Sequence, residues 1–369
     1  MNDYKKIIDK VLWWIPFRNI RNLFKLIFYN ILDISELKNK INKLELELIE
    51  YKKEYRLVNK SLYKNIYFVR HVNFWDSLYS DDSFYHIIKL ILNKYNKDLL
   101  IDRNHANIEL YSVFGSKNEI KKSDAQIKIF YTGEANTRYK EYDDNCLELC
   151  DLCIGFNHID NEKYIRFPLW IIYYFDIVNL NKDDILQKVN DINNAKFEKT
   201  KFASLVSTWG GINNLRKKIY NAVSKIDNIS CPSSFLHNDD SLKNQFNDDK
   251  YEYLKQFKFN ICSENCIEDG YVTEKLFDAF NAGCIPIWNG DKNLEYDVIN
   301  KNAVLYWQEN SKNEDILKEI KLLHKNDDLY NKFVSQPRFN TDNATEYIYG
   351  QIKLLHEKIE ELLCKKFNL

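Results

Sequence analysis

Glycine is scarce in this chain, nine residues in 369. Seven of the nine (Gly133, Gly155, Gly210, Gly211, Gly270, Gly283 and Gly290) fall in segments that carry other signals, so glycine is kept where the backbone needs it. No Gly-x-Gly-x-x-Gly occurs anywhere. The stretch from Gly270 to Lys275 lacks both the first glycine and the Gly-Lys-Ser/Thr ending of a P-loop. An excess of one charge is missing too: 53 Lys+Arg against 54 Asp+Glu give a net charge of −1. That removes any global electrostatic case for a nucleic-acid partner. No apolar run reaches the ~20 residues of a membrane span, and no cleavable signal peptide is evident. The eight cysteines sit in apolar contexts or in a Cys146-x3-Cys150-x2-Cys153 cluster. That spacing matches no common zinc site, and His158 is the nearest histidine in sequence. Small buried hydrophobes in a reducing cytosol account for them.

What the chain does contain is concentrated in residues 257–290. Residues 257–262 alternate and end in an apolar-cysteine run, the pattern of a buried strand. Ser263, Glu264 and Asn265 open a loop in which Gly270 allows a tight backbone. Thr273 suits the N-cap of a helix over 274–281, Gly283 ends that helix, and 284–288 is the next strand. Polar residues thus gather at the carboxyl end of the first strand, where open α/β sheets bind ligands. The helix N-terminus favours an anion and Lys275 adds a full charge beside it. Taken alone, the segment is equally an ordinary strand–helix–strand unit with a solvated Glu274–Lys275 pair.

The string from Phe259 through Glu264-Asn265, then Tyr271-Val272-Thr273-Glu274-Lys275-Leu276, then Ala282-Gly283-Cys284-Ile285-Pro286-Ile287, resembles the donor-binding signature of the bacterial-type α1,3/4-fucosyltransferases, glycosyltransferase family 10. The resemblance implies an α/β GT-B fold, with two Rossmann-like domains facing a cleft. It implies GDP-β-L-fucose as donor and an oligosaccharide as acceptor. It is tight at 257–290, fair around 127–169 and loose elsewhere between 65 and 330.

The remaining chain divides readily. Residues 1–32 mix Lys5, Lys6, Lys10, Arg18, Arg21 and Lys25 with Trp13, Trp14, Phe17, Phe24 and Phe28, split by Pro16. Basic and aromatic amphipathic helices of this kind lie on a membrane surface or pack on a catalytic body. Residues 33–60 carry a heptad pattern (Ile34, Leu37, Ile41, Leu44, Leu48, Tyr51, Tyr55), a short coiled coil that either joins a homodimer or leans on the enzyme. Bacterial relatives more often carry such features at the C-terminal end. From 61 to 180 strands at 66–69, 99–101, 108–113, 127–131 and 151–156 alternate with helical stretches such as 83–95. This pattern argues a mostly parallel Rossmann-like acceptor domain. A polar helical linker at 179–194 precedes the second, GDP-sugar-binding domain over 195–340. Its first strand is 202–207, followed by the Trp209-Gly210-Gly211 turn into a helix carrying Arg216. Residues 232–250 read as a surface loop. Within 343–369 a terminal helix has an apolar stripe at Ile348, Ile352, Leu355, Ile359 and Leu363.

The chemistry falls to few residues. Glu134 follows the strand 127–131 at the cleft rim, and Tyr131-Thr132-Gly133-Glu134 resembles the family segment that holds the general base. Without the resemblance it would be a loop glutamate. A GDP leaving group needs no proton, so the remaining task is to deprotonate the acceptor hydroxyl. Many glycosyltransferases hold a metal with Asp-x-Asp, and this sequence has none. By resemblance, Arg216 and Lys275 stabilise the diphosphate instead, while Asn265, Tyr271 and Glu274 contact sugar and ribose hydroxyls. Glu264 and Thr273 are further donor-side candidates. No cofactor is required on this reading, and Mn²⁺ or Mg²⁺ is at most a non-essential stimulant. The expected location is the bacterial cytoplasm, peripheral at the inner face of the membrane. Two other readings use the same residues differently: another GDP-sugar donor, or a non-catalytic membrane-surface scaffold.

Overall fold

Short apolar runs alternating with amphipathic stretches resolve into two sheets in a computed structural model. It describes residues 43, 47, 65–74, 82–102, 106–291, 295 and 298–369. The amphipathic helices read in 1–32 lie outside the described residues, as does the coiled coil of 33–60 apart from Lys43 and Glu47. The first sheet contains β1 (Ile66–Val72), β2 (Asp98–Ile101), β3 (Ile108–Tyr111), β4 (Ile127–Tyr131), β5 (Leu152–Gly155) and β6 (Tyr164–Arg166). Its strand order is β2-β1-β3-β4-β5-β6. The second contains β7 (Lys201–Ser204), β8 (Ile229–Ser230), β9 (Phe257–Ile261), β10 (Ile285–Trp288) and β11 (Leu305–Tyr306), ordered β11-β10-β9-β7-β8. Every pairing of described register is parallel. Parallel strands are covered on both faces, which is why β3, β5 and β10 are buried at every position. The charged exception, Glu109 in β3, is answered by Arg70 on the adjoining β1 at 2.7 Å.

Helices join the two halves more firmly than a linker implies. We number those that matter here α1 (Ser83–Lys94), α2 (Leu169–Tyr174), α3 (Lys182–Asn194), α4 (Leu215–Val223), α5 (Lys250–Leu254), α6 (Glu274–Asn281) and α7 (Thr341–Phe367). The expected polar linker at 179–194 is mostly α3, whose Ile185, Val189 and Ile192 are buried against α7. The apolar stripe read in the terminal helix, Ile348 through Leu363, is fully buried. Through it α7 returns from the second half of the chain to α1, where Lys94 meets Glu360 at 3.1 Å. A second tie runs through aromatics: Trp170 of α2 stacks on Phe277 of α6 at 4.4 Å, and Phe277 stacks on Phe339 at 5.7 Å. The expected surface loop at 232–250 also differs. It includes a helical turn, Ser241–Asn244, with Leu242 buried, and its last residue, Lys250, opens α5. Apart from Cys364, which is half-buried, the cysteines are buried and free, as their apolar contexts suggested. Among the described residues no helix is long and apolar enough to cross a membrane.

Candidate active site

In the second sheet the chain runs outward from β7 in both directions, to β8 on one side and to β9 on the other. This is a topological switch point, and loops leaving the carboxyl ends of β7 and β9 must part there. They form one wall of a cleft of about 640 Å³, lined by 205–209 after β7 and by Asn260–Ser263 and Asn265 at the end of β9. The facing wall comes from the first half: Gly133, Glu134 and Arg138 after β4, with Leu169 and Tyr173 of α2. Arg216, Ser233, Lys250, Tyr271 and the start of α6 from its N-cap Thr273 complete the lining.

Glu134 leaves β4 through a turn in which Thr132 Oγ1 accepts its backbone N–H at 3.1 Å. Its carboxylate is 23% exposed and lies 3.7 Å from Arg138. Burial raises its pKa above the ordinary carboxylate range, although Arg138 and Lys275 pull the other way. A carboxylate so placed is a stronger base than a solvated one and still reaches the cleft.

On the opposite wall, Gly211 takes φ of +77° and Asn213 and Asn214 are also left-handed, which turns the chain sharply into α4. Arg216 then sits buried in the second position of that helix. Its guanidinium donates to Ser263 O (2.8 Å), Ser207 Oγ (2.9 Å), Trp209 O (2.9 Å) and Asn265 Oδ1 (2.9 Å), while Nε–H also donates to Ser263 O at 3.3 Å. Arginine has five N–H donors, and all are directed at protein oxygens. Arg216 therefore braces the wall and lends it charge; a phosphate would reach its N–H groups by displacing one of these oxygens. Burial lowers its pKa, partly offset by Glu264 and Tyr271.

Lys275 is the more open cation. Burial disfavours its charge, but Glu264 and Glu274 outweigh that and hold its pKa above the ordinary lysine value. It lies in the first turn of α6, where unpaired backbone N–H groups add positive potential. Glu274 is kept ionised by Lys275 and Lys250 against the cost of its own burial. Asn265 and Tyr271 line the cleft together, their amide and phenol 3.5 Å apart.

Of the two remaining candidates, Thr273 lines the cleft and Glu264 does not. Thr273 holds the N-cap position, but its hydroxyl makes no capping bond. It donates instead to Glu264 Oε2 at 2.8 Å and accepts from Lys275 Nζ at 2.8 Å. Glu264, 1% exposed, also accepts the Thr273 N–H at 2.8 Å and stands 3.3 Å from Lys275. It lies behind the wall and aims Lys275.

Several lining residues escaped the sequence reading. Lys250, paired with Asp278, supplies another cation. Tyr173 is 64% exposed and Trp209 46% exposed at the cleft, amphipathic faces suited to sugar rings. Tyr173, an exposed aromatic among the apolar positions of α2, leaves no pattern that marks it in advance, and Trp209 was read only as part of the turn after β7. Among the described residues no group of three or more His, Cys, Asp or Glu is placed to hold a metal ion.

Comparison with known proteins gives the family and the fold. The model of the alpha-(1,3)-fucosyltransferase FucT N-terminal domain matches residues 69–173, and that of the glycosyltransferase family 10 (fucosyltransferase) C-terminal region matches 196–356. An alpha-(1,3)-fucosyltransferase FucT from Helicobacter pylori is 26% identical over 265 residues. That match covers 64% of this chain and 52% of the relative, so the chain spans about half of that protein's length. A solved alpha1,3-fucosyltransferase superposes with a TM-score of 0.55 at 20% identity, covering 80% of this chain and 92% of the other. A structure of an alpha1,3-fucosyltransferase with GDP-fucose gives 0.52 at 21% identity, covering 79% and 90%. At that identity the likeness establishes the fold, which is GT-B as expected.

Proposed function

The chain belongs to glycosyltransferase family 10, and from that premise we propose that it transfers L-fucose from GDP-β-L-fucose to a hydroxyl of an acceptor glycan, with inversion. The observation that carries the proposal is the pairing across one cleft. A carboxylate whose basicity is raised by burial stands on the first half, and Lys275, Arg216 and Lys250 cluster on the second. The solved relative with GDP-fucose supports the donor assignment.

The proposed chemistry follows from what each wall offers. The diphosphate lies at the start of α6, where Lys275 and the helix N-terminus take up the negative charge that grows as the glycosidic bond breaks. Lys250 adds to this field, and Arg216 holds Ser263 and Asn265 in register beneath it. Asn265, Tyr271 and Glu274 hold donor hydroxyls. The acceptor enters along Tyr173, and Glu134 takes the proton from its attacking hydroxyl. The oxygen attacks the anomeric carbon from the face opposite GDP, so a β-linked donor yields an α-fucoside. GDP leaves as a stable anion and needs no acid. With no Asp-x-Asp in the sequence, the cations of the cleft carry the electrostatic work in this proposal and no metal is essential. The same proposal assigns residues 1–32 to a membrane surface and 33–60 to a homodimer, from their sequence pattern alone.

The test is a donor screen. GDP-fucose, GDP-mannose and UDP-sugars are offered with a panel of free and lipid-linked oligosaccharides, and nucleotide release is measured. Release from GDP-fucose well above the others is expected. Preference for another GDP-sugar would replace the donor, and no release from any would return the chain to a scaffold role.

A further inference from the structure

The loop that carries Glu134 is fastened from the opposite half of the chain. Glu268, between Asn265 and Tyr271 on the donor wall, accepts the Asn136 N–H through Oε2 at 3.0 Å and the Thr137 N–H through Oε1 at 2.8 Å. We propose that Glu268 is a positioning residue that sets Glu134 relative to the bound donor, a reading that rests on the function proposed above.

Three observations point the same way. The contact is a carboxylate shared between two consecutive backbone N–H groups more than 130 residues distant, a charge-assisted pair with little freedom to slide. Next to it Ala135, adjacent to Glu134, closes a small apolar cluster with Phe156, Cys266 and Tyr271, all buried. The Glu268 carbonyl also accepts the Tyr271 N–H at 3.1 Å. One short segment therefore holds the donor-side residues Asn265 and Tyr271 and, through Glu268, the loop of the base. A neighbouring tie joins Asp269 to His158 at 3.0 Å, but both side chains are more than half exposed, so water and salt discount it. Glu268 is the principal fastening.

Reaction across a cleft depends on geometry that neither half sets alone. Misplacing a reacting group by about 1 Å can cost about a hundredfold in rate. Without Glu268 the Asn136 and Thr137 amides turn to water, and the base loop keeps its turn at Thr132, the Asn136–Asn157 bond and the apolar contact of Ala135, but no charged hold on the donor wall.

The experiment uses the full chain. Glu268→Gln leaves one accepting oxygen and sets an amide NH₂ against the other N–H; Glu268→Asp keeps the charge on a shorter arm. The expected result for Glu268→Gln is a kcat lowered about ten- to a hundredfold, GDP affinity by calorimetry within about twofold of wild type, and faster amide exchange at Asn136 and Thr137. Glu268→Asp should recover part of the loss. In a Glu134→Gln background the same substitution should change the residual rate less than about twofold, because a positioning residue has nothing left to position. Equal losses in both backgrounds, or GDP affinity lost together with rate, overturn the proposal, as does unchanged kcat in an active enzyme. A wild-type chain that releases no nucleotide from any donor defeats the functional reading itself, and this proposal with it.

Discussion

Replacing Glu134 by glutamine isolates the proposed proton-transfer step from everything else the residue does. The carboxylate's described partner is Arg138 at 3.7 Å, and Arg138 is 57% exposed. An ion pair that open is worth about 0–1 kcal/mol, and glutamine keeps the size and polarity of the side chain. The turn survives, because Thr132 Oγ1 bonds the backbone of residue 134 and not its side chain. Stability should therefore move by less than about 1 kcal/mol. Its sign follows from the raised pKa. The folded state binds the Glu134 proton more tightly than the unfolded chain, so this stabilisation is present at low pH and lost as pH rises through the folded value. At neutral pH the ionised group is a small liability, and the variant should melt at or slightly above wild type. Turnover is different. A positioned general base contributes about 10²- to 10⁴-fold, or about 3–5 kcal/mol of barrier. Initial rates of GDP release against pH should show that loss. The acid limb of the wild-type profile, above the ~4.3 of an unhindered glutamate, should vanish in the variant. Calorimetry should give GDP affinity close to wild type. Retained turnover with the acid limb intact would refute the assignment. Loss of folding would make Glu134 structural, and loss of GDP binding would make it a donor ligand.

Lys275→Ala should weaken GDP binding by about 1.5–3 kcal/mol, the range of a charge-assisted contact, and calorimetric affinity within twofold of wild type would move the diphosphate elsewhere. Arg216→Ala should weaken binding and also lower the melting temperature, since Ser263 O, Trp209 O and Asn265 Oδ1 lose their donor together; an unchanged melting curve would contradict the bracing role. Activity should survive EDTA, and complete loss restored by Mn²⁺ would show an essential metal. Phe277→Ala should cost about 3–5 kcal/mol in urea unfolding, because it empties the fully buried stack on Trp170; a cost below 1 kcal/mol would mean the stack does not join the halves. Deleting residues 1–32 should abolish flotation with anionic liposomes while soluble turnover persists, and unchanged flotation would place the membrane contact elsewhere.

Local pattern was enough for much of this protein. The strand, loop and helix from β9 to α6 were legible because hydrophobic period, left-handed glycines at Gly270 and Gly283 and the charge of Lys275 act within a few residues of one another. The α7 stripe was legible for the same reason, whereas Glu134, just past β4, was singled out by the family resemblance of its segment and not by local pattern. Contacts across long separations were not. Neighbours in sequence, Glu264 and Asn265 part company in the loop after β9: Glu264 turns inward to the Thr273 backbone and hydroxyl, while Asn265 lines the cleft beside Arg216. Thr273 has the residue type of an N-cap, yet the buried Glu264 carboxylate competes for its hydroxyl and wins. Segment 179–194 is polar on one face and reads as a linker until α7 arrives to cover the other. Lys250 and Glu268 sit in stretches whose composition says only loop, and they acquire a role when the two halves meet. Alternating strands and helices and the polar loop after β9 could be read from short-range period and propensity, while the two-domain fold and the roles of single residues rested on the family resemblance. Which side chains face the cleft, which aim their neighbours from behind, and how the Glu134 loop is held against the opposite wall emerge only in the folded chain, because burial and long-range hydrogen bonding depend on what the rest of the sequence brings alongside.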